Sequence, residues 1–447
     1  MAKYESWGRF PDAPPATAVP VTWRDELPDL LGIAGPVLPY AYGRSYGDSC
    51  LNGGGTLIDV TGLRRFMHFD DQTGLLQCEA GVRLDDILRE FVPRGWFLPV
   101  SPGTKFVSVG GAIANDIHGK NHHRGGTWGR HVTRFELVRS SGERLVCSPT
   151  EHADLYRATI GGLGLTGLIT WAEIRLKRVS NAYIDMQTIR FDSLDEFLAI
   201  SADSDAGYEY TVSWVDCLIG GAGYVRGHFM RGNHDESPDR PRRLPERKLP
   251  LFVPLDAPGA LLNTWTIKAF NTAYYERQRA KCKRAVEPYE PFFYPLDAIT
   301  DWNRLYGKRG FLQYQCVVPL DGDSAAIKEI FSRISHAGQG SFLTVLKIFG
   351  TLESPGMLSF PRPGVTLALD FPFRGASTLD LLEGLDGVVR AAGGRVYPAK
   401  DARMSAASFE VFYPQWREFA AYIDPHFSSS FWRRVTGTGT GMNGGIA

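Results

Sequence analysis

The sequence predicts an α+β protein of two domains, and three observations carry that prediction. Its 447 residues exceed what one ordinary core organises, at roughly 100–200 residues per domain. The first third alternates short strands with glycine turns and short helices, whereas the last third reads β-α-β-β-α-β. A content of 43% hydrophobic and 12% aromatic residues belongs to a packed globular chain, neither disordered nor fibrous.

In the first third, residues 56–60 and 75–82 read as strands about the polar turn at 70–74. Leu84, Ile87, Leu88 and Phe91 follow at helical spacing, with Asp85 and Asp86 in the favourable first turn. Residues 132–139 and 143–147 form a hairpin about 140–142, 153–160 a short helix and 168–177 a strand. That α+β region ends near residue 178. The charged, proline-rich stretch 231–249 reads as a solvated loop, and 277–284 as either an exposed cationic helix face or a contact for an anionic partner.

In the last third the order is strand 311–319, helix 324–336, strands 341–349 and 364–372, helix 378–392 and strand 395–398. Such a unit packs its helices on one face, and side-chain parity says which. Leu312, Tyr314, Cys316 and Val318, with Val365, Leu367, Leu369 and Phe371, make the apolar face. Gln313, Gln315, Lys347, Thr366, Ala368 and Asp370 gather on the other, which either meets water, the commoner case, or roofs a polar cavity.

Charge and cysteine usage exclude several functions. Lysine plus arginine (49) equals aspartate plus glutamate (49), so no basic field favours nucleic acid. Cys50, Cys78, Cys147, Cys217, Cys282 and Cys316 lie far apart with no CxxC, as reduced and mostly buried thiols of a cytoplasmic protein. No secretory signal and no membrane-spanning apolar run is expected, which leaves peripheral attachment to a membrane or the cell envelope open. His118, His122 and His123 have no metal-site spacing, and no G-x-S-x-G elbow is present.

The 49 glycines exceed the usual ~7%, and they cluster. Gly162, Gly164 and Gly167 spell G-x-G-x-x-G, but a helix precedes them and a strand follows, the reverse of a dinucleotide-binding turn. Three other clusters, at 42–48, 102–112 and 116–120, interleave glycines with hydroxyl and cationic residues. Main-chain N–H groups exposed at such bends cradle anionic oxygens, which suits a long diphosphate ligand.

The run Gly-Arg-Ser-Tyr-Gly-Asp (43–48), Pro-Gly-Thr (102–104), Val-Gly-Gly-Ala-Ile-Ala (109–114) and Asp-Ile-His-Gly-Lys-Asn-His-His (116–123) resembles the FAD domain of the vanillyl-alcohol oxidase superfamily. With Gly-Phe-Leu-Gln-Tyr-Gln (310–315), Leu-Lys-Ile-Phe-Gly (346–350) and Ala-Lys-Asp-Ala-Arg (399–403), it resembles the decaprenylphosphoryl-β-D-ribose 2-oxidase family within it. The resemblance implies a vanillyl-alcohol-oxidase-like flavoprotein: an FAD-binding domain (1–178), a substrate domain with an antiparallel sheet (179–398), and a segment (399–447) returning to the first. It assigns FAD contacts to Arg44, Ser45, Tyr46, Gly47, Gly103, Ser108, Val109, Gly110, Gly111, Asn115, Asp116, Ile117, His118, Ile169 and Tyr397. Arg44 stands where many members carry the histidine that bonds flavin, so non-covalent FAD is expected.

The same resemblance gives Lys400 the task of stabilising charge on reduced flavin, and leaves His118 and Tyr46 as alternative acceptors of the hydroxyl proton. Gln313, Gln315, Lys347, Thr366, Ala368 and Lys120 would meet substrate. The family commonly has asparagine and cysteine where this chain has Thr366 and Ala368, so the acceptor pocket is altered. The implied activity is oxidation of a secondary alcohol on a sugar or lipid-linked sugar phosphate, the first half of an epimerisation with an NAD(P)H-dependent reductase as partner. The competing readings are an oxygen-using alditol or aldonolactone oxidase and a non-catalytic nucleotide-binding protein.

Overall fold

The computed structural model describes residues 4–219, 224–244, 251–258, 262–320, 322 and 324–438. Near the N-terminus, Thr56–Asp59 runs parallel between Thr17–Pro20 and Val37–Tyr40. A five-stranded antiparallel sheet follows, ordered Phe66–Asp70, Leu75–Glu79, Leu168–Arg175, Val132–Val138 and Arg144–Cys147. The Leu84–Phe91 helix forms as its spacing requires. Leu84, Ile87, Leu88 and Phe91 are all buried, in one core with Leu76, Cys78, Phe135, Ala172 and Ile174 of that sheet.

The second sheet has eight strands, ordered Cys282–Pro288, Tyr183–Phe191, Arg226–His234, Tyr210–Asp216, Thr344–Phe349, Gly364–Pro372, Phe311–Val318 and Arg395–Val396, with antiparallel neighbours throughout. Its last four strands are the β-α-β-β-α-β unit. The helices Ala325–Ala337 and Ala376–Ala391 cover the face bearing Leu312, Tyr314, Cys316, Leu367 and Leu369. Strand pairing fixes the opposite face. Gln313 lies across from Asp370, Gln315 from Ala368, Val345 from Ala368 and Lys347 from Thr366. That face does not meet water, because it is turned onto the N-terminal half.

Two charged stretches differ from expectation. Arg231–His234 is not loop but the end of the Arg226–His234 strand, with the Arg231 guanidinium tied to Gln187 and Asp203. Residues 235–244 are irregular, and 245–249 lie outside the described residues. The cations of 277–284 sit on a turn and the exposed edge strand, not on a helix face; Arg284 pairs with Asp185 and Lys281 with Glu196. Charge on an edge strand blocks sheet-to-sheet pairing, which is reason enough for it. Four of the cysteines are buried, while Cys50 is half-buried and Cys282 exposed, and all six are free thiols.

The C-terminal helices Ala406–Phe412, Trp416–Ala420 and Ser430–Thr436 return to the N-terminal strands. Val37 N donates to His426 O (2.9 Å), Ser428 N to Val37 O (3.0 Å) and Ser430 N to Leu51 O (2.8 Å). Arg434 closes the lock, donating to Asp48 (2.7 Å), to Asp401 (2.8 Å) and to the Met404 carbonyl. Leu367 is fully buried under the two helices. Leu367→Ala should therefore lower stability by about 2–5 kcal/mol, read as a fall in the thermal midpoint, while leaving the cavity-facing residues in place.

Candidate active site

Between the glycine loops and the polar face of the large sheet lies a deep cleft. Its floor is built from 43–46, 101–104, 106–108, Gly110, Gly111, Ala114, Asn115 and 117–120. Its roof is Gln313, Gln315, Val345, Lys347, Thr366 and Ala368, and Tyr397, Ala399 and Lys400 close one end. The loops expected to hold a dinucleotide and the side chains expected to hold substrate thus share one trough.

Local structure explains the floor. Ser108 caps the short Val109–Ala114 helix by accepting from Gly111 N (3.1 Å), and Asn115 closes it by donating to Gly111 O (2.8 Å). Gly43 has φ of +57°, and a side chain there would strike Glu5 O and the Tyr40 hydroxyl at 2.3 Å, so only glycine allows this bend. At Gly103, by contrast, an added Cβ would meet nothing within 4 Å, which leaves its main chain open to the cleft.

Of the residues expected in the cofactor shell, Arg44, Ser45, Tyr46, Gly103, Ser108, Gly110, Gly111, Asn115, Ile117, His118, Ile169 and Tyr397 line the cleft, and Gly47, Val109 and Asp116 do not. Gly47 is pressed on the Asp401 carbonyl, where a Cβ would sit at 1.7 Å. Val109 is core. Asp116 turns inward at positive φ, accepting from Gly129 N (2.8 Å) and from the Ser359 hydroxyl, and burial raises its carboxyl to about 6. All six expected substrate residues line the cleft, as does Lys400.

The electrostatics are one-sided. The Arg44 guanidinium rests over the Trp7 ring (4.2 Å to the centroid), makes no ion pair among the described residues, and its Nε is buried without a partner. Lys120 and Lys400 likewise have no ion pair there, and Lys347 donates only to the Gly119 carbonyl (3.0 Å). Burial pushes Lys120 down to about 8, and burial plus mutual repulsion takes Lys347 to about 7. Burial takes Lys400 to about 7 against the pull of Asp370. Four cations recessed in one cleft, none matched to a carboxylate, fit the diphosphate of FAD and a further anionic group.

His118 is buried, and its Nε2 faces the Gln315 amide nitrogen (2.9 Å). An amide nitrogen only donates, so Nε2 accepts and the ring proton sits on Nδ1, which has no partner among the described residues. Burial, with Lys347 and His122 nearby, pushes its pKa well below 6.5 and keeps the ring neutral. Tyr46 carries Lys400 Nζ over its ring at 3.8 Å, and burial raises its phenol well above 10. His122 packs on Phe349, as His118 does, while His123 turns away and bonds the Tyr208 carbonyl.

One wall escaped the sequence, and a second was read only in part. Phe293, 295–297 and 299–302 form a lateral wall, and 163–169 contribute Gly164 and Gly167 to the floor. The first has no periodicity to betray it. The second was legible through Ile169, expected at the cofactor, while the order of helix, turn and strand about its glycines spoke only against a dinucleotide-binding turn.

The FAD binding domain family matches residues 15–148. The chain is 38% identical to the decaprenylphosphoryl-beta-D-ribose oxidase of Mycolicibacterium smegmatis over 89% of each chain. It is 34% identical to an uncharacterised protein of Streptomyces coelicolor over 77% of this chain and 97% of that one. A putative D-arabinono-1,4-lactone oxidase of Neurospora crassa is 33% identical over only 28% of this chain and 22% of its own. The chain belongs to the decaprenylphosphoryl-β-D-ribose oxidase family, and it is an FAD-dependent oxidoreductase acting on CH–OH groups.

The lysine shifts give a pH test. A lysine held at about 7 or 8 is substantially neutral near pH 8, and an anionic ligand raises it again. Binding of FAD to the FAD-free protein near pH 8 should therefore take up protons, seen calorimetrically as a binding enthalpy that differs between Tris and HEPES. An enthalpy independent of buffer contradicts the shifts.

Proposed function

We propose that the protein binds FAD non-covalently and oxidises a secondary alcohol on the sugar of a polyprenyl-phosphoryl pentose. This would be the first half of an epimerisation completed by a separate NAD(P)H-dependent reductase. The observation that carries the reading is the set of unmatched cations, Arg44, Lys120, Lys347 and Lys400, distributed along one cleft. One diphosphate cofactor does not need all four, and a phosphate-bearing substrate gives the others a partner. The mycolicibacterial relative is named for such a substrate. Its D-arabinono-lactone counterpart covers too little of the chain to support a second reading.

FAD, when bound, supplies the hydride acceptor, and the chain's own residues do the rest. The loops at 43–46 and 101–111, with Arg44, Ile169 and Tyr397, hold the cofactor. Arg44 offers a guanidinium where covalent attachment would need an imidazole. Lys400 favours negative charge at its end of the cleft, and Gln313, Gln315, Lys347 and Lys120 orient sugar hydroxyls and phosphate. His118, neutral with its Nε2 lone pair facing the roof, takes the hydroxyl proton once the Gln315 amide turns to substrate. Tyr46, a phenol that keeps its proton, donates instead. Thr366 and Ala368 leave a smaller, less polar roof than the family's usual pair, which places the substrate difference at the sugar. The partition into 1–178, 179–398 and 399–447 puts the cofactor loops, the roof and Lys400 on three successive segments.

No described helix is long and apolar enough to cross a membrane. A polyprenyl chain outside the cleft would stay in a bilayer, so we place the reaction at a membrane surface. Anaerobic bleaching of the flavin against sugar phosphates, simple polyols and polyprenyl-phosphate sugars tests the reading. Bleaching by the lipid-linked sugars is expected, and bleaching by polyols alone contradicts it. Lys400→Ala should retain FAD absorbance yet reduce its flavin about 10²–10³-fold more slowly. His118→Ala should retain FAD and slow reduction by ~10²–10⁴-fold, with Tyr46→Phe milder.

A further inference from the structure

Five large apolar side chains stand exposed within residues 251–270: Leu251 (73%), Phe252 (66%), Leu255 (78%), Trp265 (82%) and Phe270. Single exposed apolar residues are ordinary, but a run of them on ordered backbone is not. The backbone here is held. Leu251–Phe252 pairs in parallel with Ile299–Thr300, and Val253 N donates to Thr300 O at 3.1 Å. Arg304 donates to Pro254 O at 2.7 Å, and Arg9 pairs with Asp256 at 2.6 Å. Successive strand residues point to opposite sides, yet Leu251 and Phe252 are both exposed, so this short strand stands out as a ridge with neither face covered.

The helix Thr264–Glu276 continues this surface. Its inner side is fixed, since Asn271 Nδ2 donates to Asp216 Oδ1 at 3.0 Å and to Ser341 O at 3.2 Å, while Trp265 and Phe270 stay outward. Leu262, just ahead of the helix, packs against the cluster of Trp302, Tyr306 and Phe311, as Ile299 does, so ridge and helix are fastened to one wall. The inner side of that wall is the cleft, lined by Ile299, Thr300 and Trp302. The charges about the outer side are positive. Lys268 lies one turn beyond Trp265, Lys308 and Arg309 are exposed after the Trp302–Tyr306 turn, and Arg374 donates to Leu262 O at 3.2 Å. Gly310 packs on Gly8 and Arg9, which sets Lys308 and Arg309 beside the Arg9–Asp256 pair. None of these four cations has an ion pair among the described residues, and Asp256, the one carboxylate of 251–258, is already matched by Arg9.

We propose that the wall made by 251–258 and the helix Thr264–Glu276 docks the protein on an anionic phospholipid bilayer. Leu251, Phe252, Leu255 and Trp265 enter the boundary between headgroups and acyl chains, and Lys268, Lys308 and Arg309 meet lipid phosphates. A projecting apolar ridge flanked by unpaired cations has the shape and the charge that such a surface accepts. The inference rests on the reading of the substrate as lipid-linked, and it adds which face meets the bilayer. Only the Ile299–Thr300 strand separates the docked ridge from the cleft, so a sugar anchored in the bilayer has a short way to the site while its prenyl chain stays in lipid.

Flotation of the full-length, FAD-loaded protein with vesicles tests the proposal, comparing phosphatidylcholine alone with phosphatidylcholine containing about a third phosphatidylglycerol. Binding to the anionic vesicles is expected, and it should weaken as salt rises. Leu255→Glu combined with Trp265→Glu should lower the bound fraction by roughly tenfold or more, with flavin absorbance and its bleaching by a chemical reductant unchanged. Lys268→Glu combined with Lys308→Glu should abolish the preference for anionic lipid. Leu31→Glu combined with Val411→Glu, which adds the same charge at exposed apolar positions elsewhere, should float like the wild type. A wild-type protein that stays off the anionic vesicles, or ridge variants that float as it does, overturns the proposal. So does a ridge variant that loses self-association while its flotation is unchanged, because the face would then join two copies of the chain. Flotation with no sugar able to bleach the flavin would sink the substrate reading alone, and bleaching by lipid-linked sugars in detergent without flotation would sink the docking alone.

Discussion

A cation removed from water without a partner costs several kcal/mol, and this fold points four of them into one trough. The formal charge of the whole chain nevertheless sums to zero. Such an arrangement persists only because the walls are stiff: a paired sheet above, capped and glycine-bent loops below, and the Arg434 lock fastening the C-terminal segment that carries Lys400. The unsatisfied charge is therefore stored in rigid elements, and an anionic ligand that enters meets donors already in place.

The large sheet does two jobs by strand parity alone. Residues on one side complete a core with two helices, and their immediate neighbours on the same strands present amides, a lysine and small side chains to the cavity. Shifting one strand by a single residue would exchange these sets, so catalysis and stability are bound to the same register. This explains how Asp370 is tucked behind Gln313: both point to the cavity side, and the cross-strand pairing brings their polar groups into contact.

Much of this was legible because it was periodic. The alternation in 311–319 and 364–372 separated core from cavity, and the i, i+3, i+4, i+7 pattern located the Leu84–Phe91 helix. Parity identified the polar face but not what it looks upon, since water and a cavity ask for the same residue types. Strands Tyr183–Phe191, Tyr210–Asp216 and Arg226–His234 went unmarked, and the charged end of the last read as loop. The lateral wall at 293–302 was invisible because prolines and aromatics there obey no repeat. Asp116 and Gly47 misled for a different reason: each lies in a motif whose neighbours face the cleft, while its own direction is set by a turn.

The claim on which the rest depends is that the cleft's unmatched cations and open loop amides receive a diphosphate-linked flavin. A crystal structure of the FAD-loaded protein tests it most directly. The account predicts the diphosphate against the 101–111 loop and Arg44, with the ring system beneath Gln313 and Gln315 and near Lys400. A cofactor bound elsewhere, or a cleft in which Arg44 and the lysines have closed onto Asp297 and Asp301, would contradict it.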